Sequence, residues 1–490
     1  MATTGEKPDA HGQVYTGADR YPGMDIHWHR DDLRARDNAG LAAASTDGPV
    51  LPVFVFDDEI LRHGSPPRVA FMLDALAELR EWYQANGGDL CVARGDPTAV
   101  LPDLAAERGV ETVHCNAGYS GLARDRDSAV AEALDADGVA LETHEDALHH
   151  EPGSIRTNAG EPYSVYTYFW KKWRDREKAD PYDAPDAIAD VTGEELPTLA
   201  ELGFEAPEAD VEPGGMETAR DRLDSFVDGP IYEYEEIRDT PAADRTSKLS
   251  AHNRWGTIGP RELYAATERA AANAPDEDAA EAVEEYQGEL AWREFYHHVL
   301  YFHPHVVDEN YNEYEEGIDW RDDEAEIEAW RDGETGYPIV DAGMRQLKQE
   351  AWMHNRVRMI VASFLTKDLM ADWRYGYDHF RAKLADHNTA NDNGGWQWAA
   401  STGTDAQPYF RIFNPMSQGE RHDPDAEYIR EYVPELDGVD ADTIHSWHEL
   451  TKSQRKATAP EYPAPIVDHS ERREQALAMF KRARGEDPDE

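Results

Sequence analysis

Basic residues are scarce in this chain of 490 amino acids, in which 48 lysines and arginines stand against 100 aspartates and glutamates. The resulting formal net charge of −52 is spread along the whole sequence. With 10% aromatic and 40% hydrophobic residues, the chain is too apolar for a disordered protein. A folded protein of this acidity is favoured in a high-salt cytoplasm, because salt screens its self-repulsion. The composition therefore predicts a halophilic protein, in which any site for nucleic acid must be a local basic island.

Cysteines and long apolar runs are also scarce. Cys91 and Cys115 are the two cysteines, too few for a disulfide framework or a zinc ribbon. The sequence contains no HExxH motif and no Cys/His cluster, so no metal is expected. It also lacks a signal peptide and any apolar run of membrane length, which predicts a cytoplasmic protein without a membrane partner.

Strand-like and helix-like patterns alternate over residues 24–150, after a polar, flexible extension over residues 1–23. Strands are predicted at residues 25–28, 50–56, 89–93, 110–115 and 139–143. The clearest helix signal between them covers residues 66–85, with Ser65 as N-cap and two glycines as the stop. This alternation predicts a Rossmann-like α/β domain with a parallel sheet, although GxGxxG and P-loop motifs are absent.

The remaining chain is dominated by a helical period. Residues 151–217 include a long segment rich in Pro, Asp, Glu and Ala, which predicts a connection between domains. No strand is predicted over residues 218–482, and a short tail follows over residues 483–490. The second half is therefore predicted to be a separate all-α domain.

Residues 386–415, DHNTANDNGGWQWAASTGTDAQPYFRIFNP, have a composition that is atypical of an amphipathic helix or a half-buried strand. Gly394 and Gly395 remove side chains where another group can approach the backbone closely. Trp396 and Trp398 add flat surfaces beside polar groups. The alternative interpretation is a glycine-rich turn capped by two core tryptophans.

Three further segments combine polar and aromatic residues at helical spacing. The residues predicted to share a helix face are Glu289, Trp292, Arg293 and Tyr296 in the first segment, and Trp352, Asn355, Arg356 and Met359 in the second. In the third, Tyr234 and the hydroxyls and lysine of residues 246–250 lie near a helix start and can hold an anion. The alternatives are an ordinary ion pair beside a core tryptophan, an exposed helix end and simple N-capping.

Taken in order, these segments resemble the landmarks of the photolyase/cryptochrome family. The similar stretches are GEPYSVYTYFWKKW, TSKLSAHNRWGTIGPREL, GELAWREFY, GYPIVDAGMRQL, WMHNRVRM and NDNGGWQWAASTGTDAQPYFRIFNP, within about residues 24–480. WMHNR together with GGWQWAASTGTD is similar to the class I cyclobutane pyrimidine dimer photolyases, which implies light-driven DNA repair. A photosensory cryptochrome without repair activity is the alternative.

The resemblance implies FAD in the helical domain, with a flipped pyrimidine dimer of UV-damaged DNA beside it. The residues implied at FAD are Tyr234, Thr246, Ser247, Lys248, Leu249, Ser250, Arg293, Asn355, Arg358, Asp386, Asn388 and Asp392. Those implied at the dimer or the DNA are Arg238, Glu289, Trp292, Arg356, Met359, Trp398, Arg411 and Arg421. The implied electron-transfer chain consists of Trp396, Trp373 and Trp320.

The resemblance also implies a second, antenna chromophore in the α/β domain, near residues 34–38 and 116–126. This chromophore is a deazaflavin or methenyltetrahydrofolate, and Asp308 stands where some folate-binding members have a lysine. Asp392 stands where many photolyases have Asn and plant cryptochromes have Asp, so the resting redox state of the flavin stays open. A monomer without an obligate protein partner is expected.

Overall fold

Five strands in the first part of the chain form one parallel sheet. The structure, a computed structural model, describes residues 23–487. The strands are β1 (Asp25–His29), β2 (Val50–Phe56), β3 (Cys91–Arg94), β4 (Thr112–Asn116) and β5 (Ala140–His144), in the order β3-β2-β1-β4-β5. The predicted parallel sheet is confirmed, and the five predicted strands are present with ends shifted by at most two residues.

The two faces of this sheet differ in polarity because successive side chains of a strand point to opposite sides. Ile26 and Trp28 of β1 lie in an apolar core. His27 and His29 point to the other face and are fully buried there. Buried polar groups need partners, and His27 Nε2 lies 3.0 Å from Asp32 Oδ2.

Helices cover the sheet and are the main regular elements in the rest of the described chain. The α-helices are α1 (Ala39–Ala44), α2 (Asp58–Leu61), α3 (Pro66–Ala85), α4 (Pro97–Arg108), α5 (Gly121–Ala136), α6 (Tyr166–Arg174), α7 (Met216–Val227), α8 (Tyr234–Ile237), α9 (Ser250–Trp255), α10 (Pro260–Ala272), α11 (Glu277–Phe302), α12 (Glu324–Asp332), α13 (Pro338–Glu350), α14 (Asn355–Ser363), α15 (Trp373–Lys383), α16 (Thr389–Ala400), α17 (Pro415–His422), α18 (Glu427–Tyr432), α19 (Ala441–His445), α20 (Lys452–Thr458) and α21 (His469–Ala483). Short 3-10 helices span Pro230–Glu233, Pro241–Ala243, Pro304–Val307, Pro434–Leu436 and Trp447–Glu449.

Helix α3 has the bounds predicted from its sequence signals. Ser65 occupies the N-cap position, but its side chain makes no capping hydrogen bond. Pro66 and Pro67 follow it, and because proline has no backbone N–H, the first turn leaves fewer donors to satisfy.

The segment 386–415 contains a helix, so the turn interpretation is wrong. Asn388 caps α16 by accepting hydrogen bonds from the backbone N–H groups of Ala390 and Asn391, at 3.1 and 3.2 Å. The usual apolar period is missing because part of this helix surface borders a cavity instead of a core.

The second segment also differs from its prediction. Trp352 lies before α14, whose N-cap is His354, so Trp352 does not share a helix face with Asn355. Helix α14 ends at Ser363, and a π-helical turn follows over Phe364–Asp368.

A buried ionic network joins the two halves of the chain. Asp37, after β1, accepts hydrogen bonds from the backbone N–H groups of Arg261 and Glu262 at the start of α10, at 3.0 and 2.9 Å. Its other carboxylate oxygen accepts from Arg261 Nε at 2.5 Å. Asp146, after β5, is paired with both Arg34 and Arg261. The helical half is therefore fixed against the carboxyl ends of the strands.

The predicted domain limits and chain ends are not tested by the fold. The predicted connection 151–217 contains α6, and the domain limits at residues 150, 217 and 482 are not fixed by the fold alone. The extension 1–23 and the end of the tail lie outside the described residues, apart from Gly23 and residues 483–487. Within residues 23–487, no helix has the length and apolar character needed to span a membrane.

Candidate cofactor and substrate cavity

A cavity of about 470 Å³ opens in the helical half, bordered by α8, α9, α11, α14 and α16. Ligand pockets commonly have volumes of about 300–1,000 Å³. All twelve residues implied at FAD line this cavity. The residues implied at the dimer or DNA that also line it are Arg238, Glu289, Trp292, Met359 and Trp398. Arg356, Arg411 and Arg421 are not part of its wall.

One face of α11 forms a wall of the cavity, as its spacing predicts. The residues on this face are Glu289, Trp292, Arg293 and Tyr296. Tyr166 of α6 stacks on Trp292, with ring centroids 3.7 Å apart and planes inclined by 9°. The Tyr166 hydroxyl donates to the Gly288 carbonyl at 2.6 Å. Because a tyrosine covers one side of the indole, Trp292 is held in a fixed orientation at the cavity.

Glu289 is a half-buried carboxyl group on the same wall. Burial raises the pKa of Glu289, and the guanidinium of Arg238 opposes this rise. Arg238 Nη2 donates to Glu289 Oε1 at 2.6 Å. Because its pKa is raised, Glu289 is more easily protonated than a carboxyl group in water. A protonated carboxyl group can donate as well as accept a hydrogen bond.

Arg358 is the cation that two acidic side chains of the cavity share. Its Nη2 donates to Asp386 Oδ2 at 2.7 Å, and its Nη1 lies 3.8 Å from Asp392 Oδ1. Burial acts to lower the pKa of Arg358, but the two carboxylates outweigh burial and raise it. Asp392 also accepts from the Asn388 backbone N–H at 3.1 Å and lies 2.6 Å from His387 Nδ1. Asp392 therefore belongs to a hydrogen-bonded cluster.

The two glycines of α16 face different neighbours: Gly394 faces helix α11, and Gly395 faces the cavity. A Cβ atom on Gly394 would lie 2.2 Å from Cδ1 of Tyr296, so a side chain there would separate α16 from α11. A Cβ atom on Gly395 would meet no protein atom within 4 Å. Since Gly395 lines the cavity, it leaves bare helix backbone open to a bound group.

The residues of the wall fit a nucleotide cofactor such as FAD. Asp386 Oδ1 and Asn391 Oδ1 are buried at the cavity without a hydrogen-bond partner. A buried polar atom left unpaired costs about 1–3 kcal/mol, so the wall favours a ligand that supplies donors. The hydroxyls and the lysine of residues 246–250 suit phosphates, because they are donors beside the start of α9.

The three tryptophans implied in electron transfer extend from the cavity region towards the surface. Trp396 and Trp373 are buried, and Trp320 is half-buried. A Cβ atom on Gly376, one turn after Trp373, would lie 2.0 Å from Cη2 of Trp396. The residue after Trp320 forms a backbone bridge to Ala371, just before Trp373. The three side chains therefore lie on neighbouring segments in the implied order.

Of the four arginines implied at DNA phosphates, two form ion pairs with acidic side chains and two are exposed. Arg238 is paired with two glutamates of α11, and Arg356 Nη2 lies 2.5 Å from Asp239 Oδ1. Arg411 and Arg421 are exposed. A phosphate that binds Arg238 or Arg356 would have to compete with a carboxylate that is already in place.

The sequence did not assign every residue of the cavity. The lining residues that it missed are Asn253, Arg254, Tyr286, Leu290, Met353, His354 and Asn391. Tyr286 and Leu290 could have been found by extending the period of the α11 face towards its start, since they precede Arg293 by seven and three residues. Tyr166 and Trp330, whose ring lies 6.0 Å from that of Trp396, come from distant segments that no local pattern links to the site.

The two segments implied near the antenna chromophore meet beyond the ends of β1 and β4. Asn116 Nδ2 donates to Asn38 Oδ1 at 2.8 Å. The strand order reverses between these two strands, and open parallel sheets bind ligands at such a point.

The chain thus joins an α/β domain to a helical domain whose cavity fits a nucleotide cofactor. The profile described as DNA photolyase matches residues 25–187, and that described as FAD binding domain of DNA photolyase matches residues 286–482. The chain belongs to the photolyase/cryptochrome family, and the predictions of the family and of FAD are confirmed.

Relatives of high similarity cover nearly the whole chain. A deoxyribodipyrimidine photo-lyase of Halobacterium salinarum is 61% identical over 95% of this chain and 100% of that protein. A class III photolyase of Agrobacterium tumefaciens has a TM-score of 0.88 and 38% identity, covering 97% of this chain and 100% of that one. A Sulfolobus tokodaii photolyase with two FAD molecules has a TM-score of 0.81 and 33% identity, covering 94% of this chain and 100% of that one. These relatives favour repair over the photosensory alternative, and the class I assignment stays a prediction.

Proposed function

We propose that this chain is a deoxyribodipyrimidine photo-lyase, which uses light to split cyclobutane pyrimidine dimers in UV-damaged DNA. The observation that supports this most is the convergence of two residue sets on one cavity. The set implied at FAD and most of the set implied at the dimer share its wall. Repair requires this proximity, because an electron must pass between cofactor and substrate. We further propose a cytoplasmic monomer.

The cofactor part of the cavity is formed by the residues implied at FAD. When bound and reduced, FAD supplies an electron under light and takes it back after the ring has split. Arg358 pairs with Asp386 and lies near Asp392, so the wall that would hold the flavin carries one cation between two acids. Asp392 presents a carboxyl group, held by Asn388 N–H, where many photolyases have an amide. This difference would bear on the redox state of the bound cofactor, whereas the substrate walls are formed by other residues.

The substrate part of the cavity is formed by Trp292, Trp398 and Met359, with Glu289 as its polar group. A dimer inside a duplex must be extruded to reach such a cavity, as enzymes that act on a base must first take it out of the stack. Flat and apolar walls accept the unstacked bases. Glu289 can hydrogen-bond to a base edge because its carboxyl group has both donor and acceptor forms.

The antenna chromophore stays a proposal of its own. Residues 34–38 and 116–126 meet at the reversal of strand order, which supports a ligand site there. Asp308, which stands where some folate-binding members have a lysine, weakens the case for methenyltetrahydrofolate, and both chromophores remain alternatives. Extraction of the purified protein and mass analysis of the released chromophore distinguishes the two.

Gly395→Ala tests whether the cavity holds the cofactor. The apoprotein should be as stable as wild type or up to about 1 kcal/mol more stable, because alanine favours a helix more than glycine. FAD binding should weaken by roughly 1–3 kcal/mol, the usual cost of one extra methyl group in a filled site. Denaturant unfolding of the apoprotein and a flavin titration measure the two effects.

Gly394→Ala is the matched control for this experiment. Its methyl group would meet Tyr296, so it should destabilise the apoprotein, unlike the change one residue later. If Gly395→Ala binds FAD as tightly as wild type, the cofactor does not approach this part of α16.

Trp292→Ala and Trp398→Ala test the substrate walls. Each should weaken binding to dimer-containing DNA by roughly 1–3 kcal/mol, the usual contribution of a base stacked on an aromatic ring. Flavin content should not change. Fluorescence anisotropy with a single-dimer oligonucleotide and absorption of the bound flavin report the two quantities. Loss of FAD from either variant would show that the residue contacts the cofactor instead.

Trp320→Phe tests the proposed electron path from the surface. Light-dependent reduction of oxidised flavin should be lost, because the half-buried end of the tryptophan chain is removed. Repair by chemically reduced enzyme should stay near the wild-type rate, since Trp320 does not line the cavity. Equal losses of both activities would contradict separate roles for the chain and the cavity.

A further inference from the structure

A second cluster of polar side chains lies on the sheet, far along the chain from the residues of the cavity. His114 of β4 is directly opposite Glu142 of β5, and Asn116 is opposite His144. Side chains two residues apart share a face of a strand, so His114, Glu142 and His144 project from the same side. Two ligands at i and i+2 with a third on the neighbouring strand form a compact arrangement that a rigid sheet can hold.

The three side chains are close enough to share one ion. His114 Nδ1 lies 2.9 Å from His144 Nε2 and 3.7 Å from Glu142 Oε2. The three ligand atoms all lie within 4.8 Å of one another. Nitrogens bound to zinc at about 2.0–2.1 Å are separated by roughly 2.9 Å at a right angle and about 3.4 Å at the tetrahedral angle. The separations therefore suit a small divalent cation.

The surroundings of the cluster also favour a cation. His114 Nε2 lies 3.4 Å from Asp25 Oδ2 on β1. A carboxylate behind the second ring nitrogen is the usual support of a metal-binding histidine, since it fixes the tautomer and the ring orientation. Glu142 is more than half exposed, so the site opens to solvent.

We propose that His114, His144 and Glu142, supported by Asp25, form a site for a divalent transition-metal cation such as zinc. Two imidazoles and a carboxylate are ligands that suit zinc and leave a position for water. The search for HExxH and Cys/His motifs missed this site, because its ligands come from two strands and form no local motif. The ion would attach β5, the edge strand of the sheet, to β4.

A nearby histidine cluster is a weaker candidate for the same ion. His27, His29 and Asp32 also lie within reach of one another, but all three are buried. Asp32 already accepts hydrogen bonds from His27, Asn38 and Asn116. An ion there would displace several hydrogen bonds. An ion at the β5 cluster would replace only the contact between the His114 and His144 imidazoles.

The site would also support the junction between the two halves of the chain. Asp146 follows His144 by two residues and carries the ion pairs with Arg34 and Arg261. The Ala147 carbonyl accepts from Arg293 Nη1 of the cavity wall at 2.7 Å. An ion at the end of β5 would therefore fix the segment that leads to the cavity.

Zinc titration of the chelator-treated protein at about pH 7.5 tests the proposal. Calorimetry should show one zinc ion per chain, and thermal unfolding should occur at a higher temperature with zinc. His144→Ala should abolish stoichiometric binding. Asp25→Asn should weaken binding by about 10–100-fold, as expected of a group behind a ligand. X-ray absorption should show two nitrogen ligands at about 2.0–2.1 Å.

His305→Ala is the control, because His305 is exposed and outside the cluster. It should bind zinc like wild type. The proposal is overturned if the folded wild-type chain takes up no zinc, or if His144→Ala binds it with unchanged affinity. Neither result depends on repair activity, so failure here is separate from failure of the proposed function.

Discussion

Arg261→Met is expected to lower the free energy of unfolding by about 3–5 kcal/mol, the usual result of removing one partner from a buried ionic network. Arg261 and the two carboxylates that it joins, Asp37 and Asp146, are almost completely buried. Methionine fills a similar volume without charge or donors. Asp37 would keep only backbone donors, and Asp146 would keep Arg34 as its cation. Denaturant unfolding at constant high salt measures the change.

Arg245→Met provides the matched control. Arg245 and Glu233 form an exposed ion pair, and such pairs contribute little because water and salt screen them. Unfolding of this variant should resemble that of wild type. If both variants lose the same stability, general charge effects dominate in this acidic protein and the junction has no special role.

Arg358→Met is expected to have an effect of similar size, about 3–5 kcal/mol on unfolding, together with loss of bound FAD. The change leaves Asp386, which is buried, and Asp392 without their shared cation. Two neighbouring acids in a site of low polarity repel each other and any anionic cofactor. Flavin absorbance after gel filtration and the unfolding midpoint measure the two losses.

Arg356→Met, two residues earlier on α14, distinguishes the cavity from its surroundings. Arg356 pairs with Asp239 and does not line the cavity. This variant should keep its flavin and bind DNA more weakly, with a smaller salt dependence, if Arg356 contacts a phosphate. Retention of FAD by Arg358→Met, or its loss from Arg356→Met, would reverse the proposed roles.

Local patterns were sufficient for the sheet, for α3 and for the α11 face. The buried strand over residues 50–56 and the helix over residues 66–85 are marked by apolar periods, prolines and glycines, which act within a few residues. The spacing of Glu289, Trp292 and Arg293 likewise places them on one face without knowledge of the fold. The site residues of other segments came from the family resemblance.

The parts that the sequence did not predict depend on contacts between distant residues. Asp37 and Arg261 are separated by 224 positions, and Tyr166 stacks on a residue of α11 more than a hundred positions later. The α16 helix was missed because the face that borders the cavity carries polar residues and glycine, which interrupt the apolar period. The His114 and His144 pair was missed because strand register, which brings the two strands together, is set by the whole sheet.

A light-dependent repair assay tests the central claim most directly. The substrate is an oligonucleotide with one thymine dimer, incubated at high salt with the FAD-loaded, fully reduced protein in blue light and in darkness. The account predicts that intact thymines are restored in light only, with Trp292→Ala requiring more enzyme for the same yield. If the loaded and reduced protein binds the dimer but restores no thymines in light, the proposed repair function is wrong and a photosensory role replaces it.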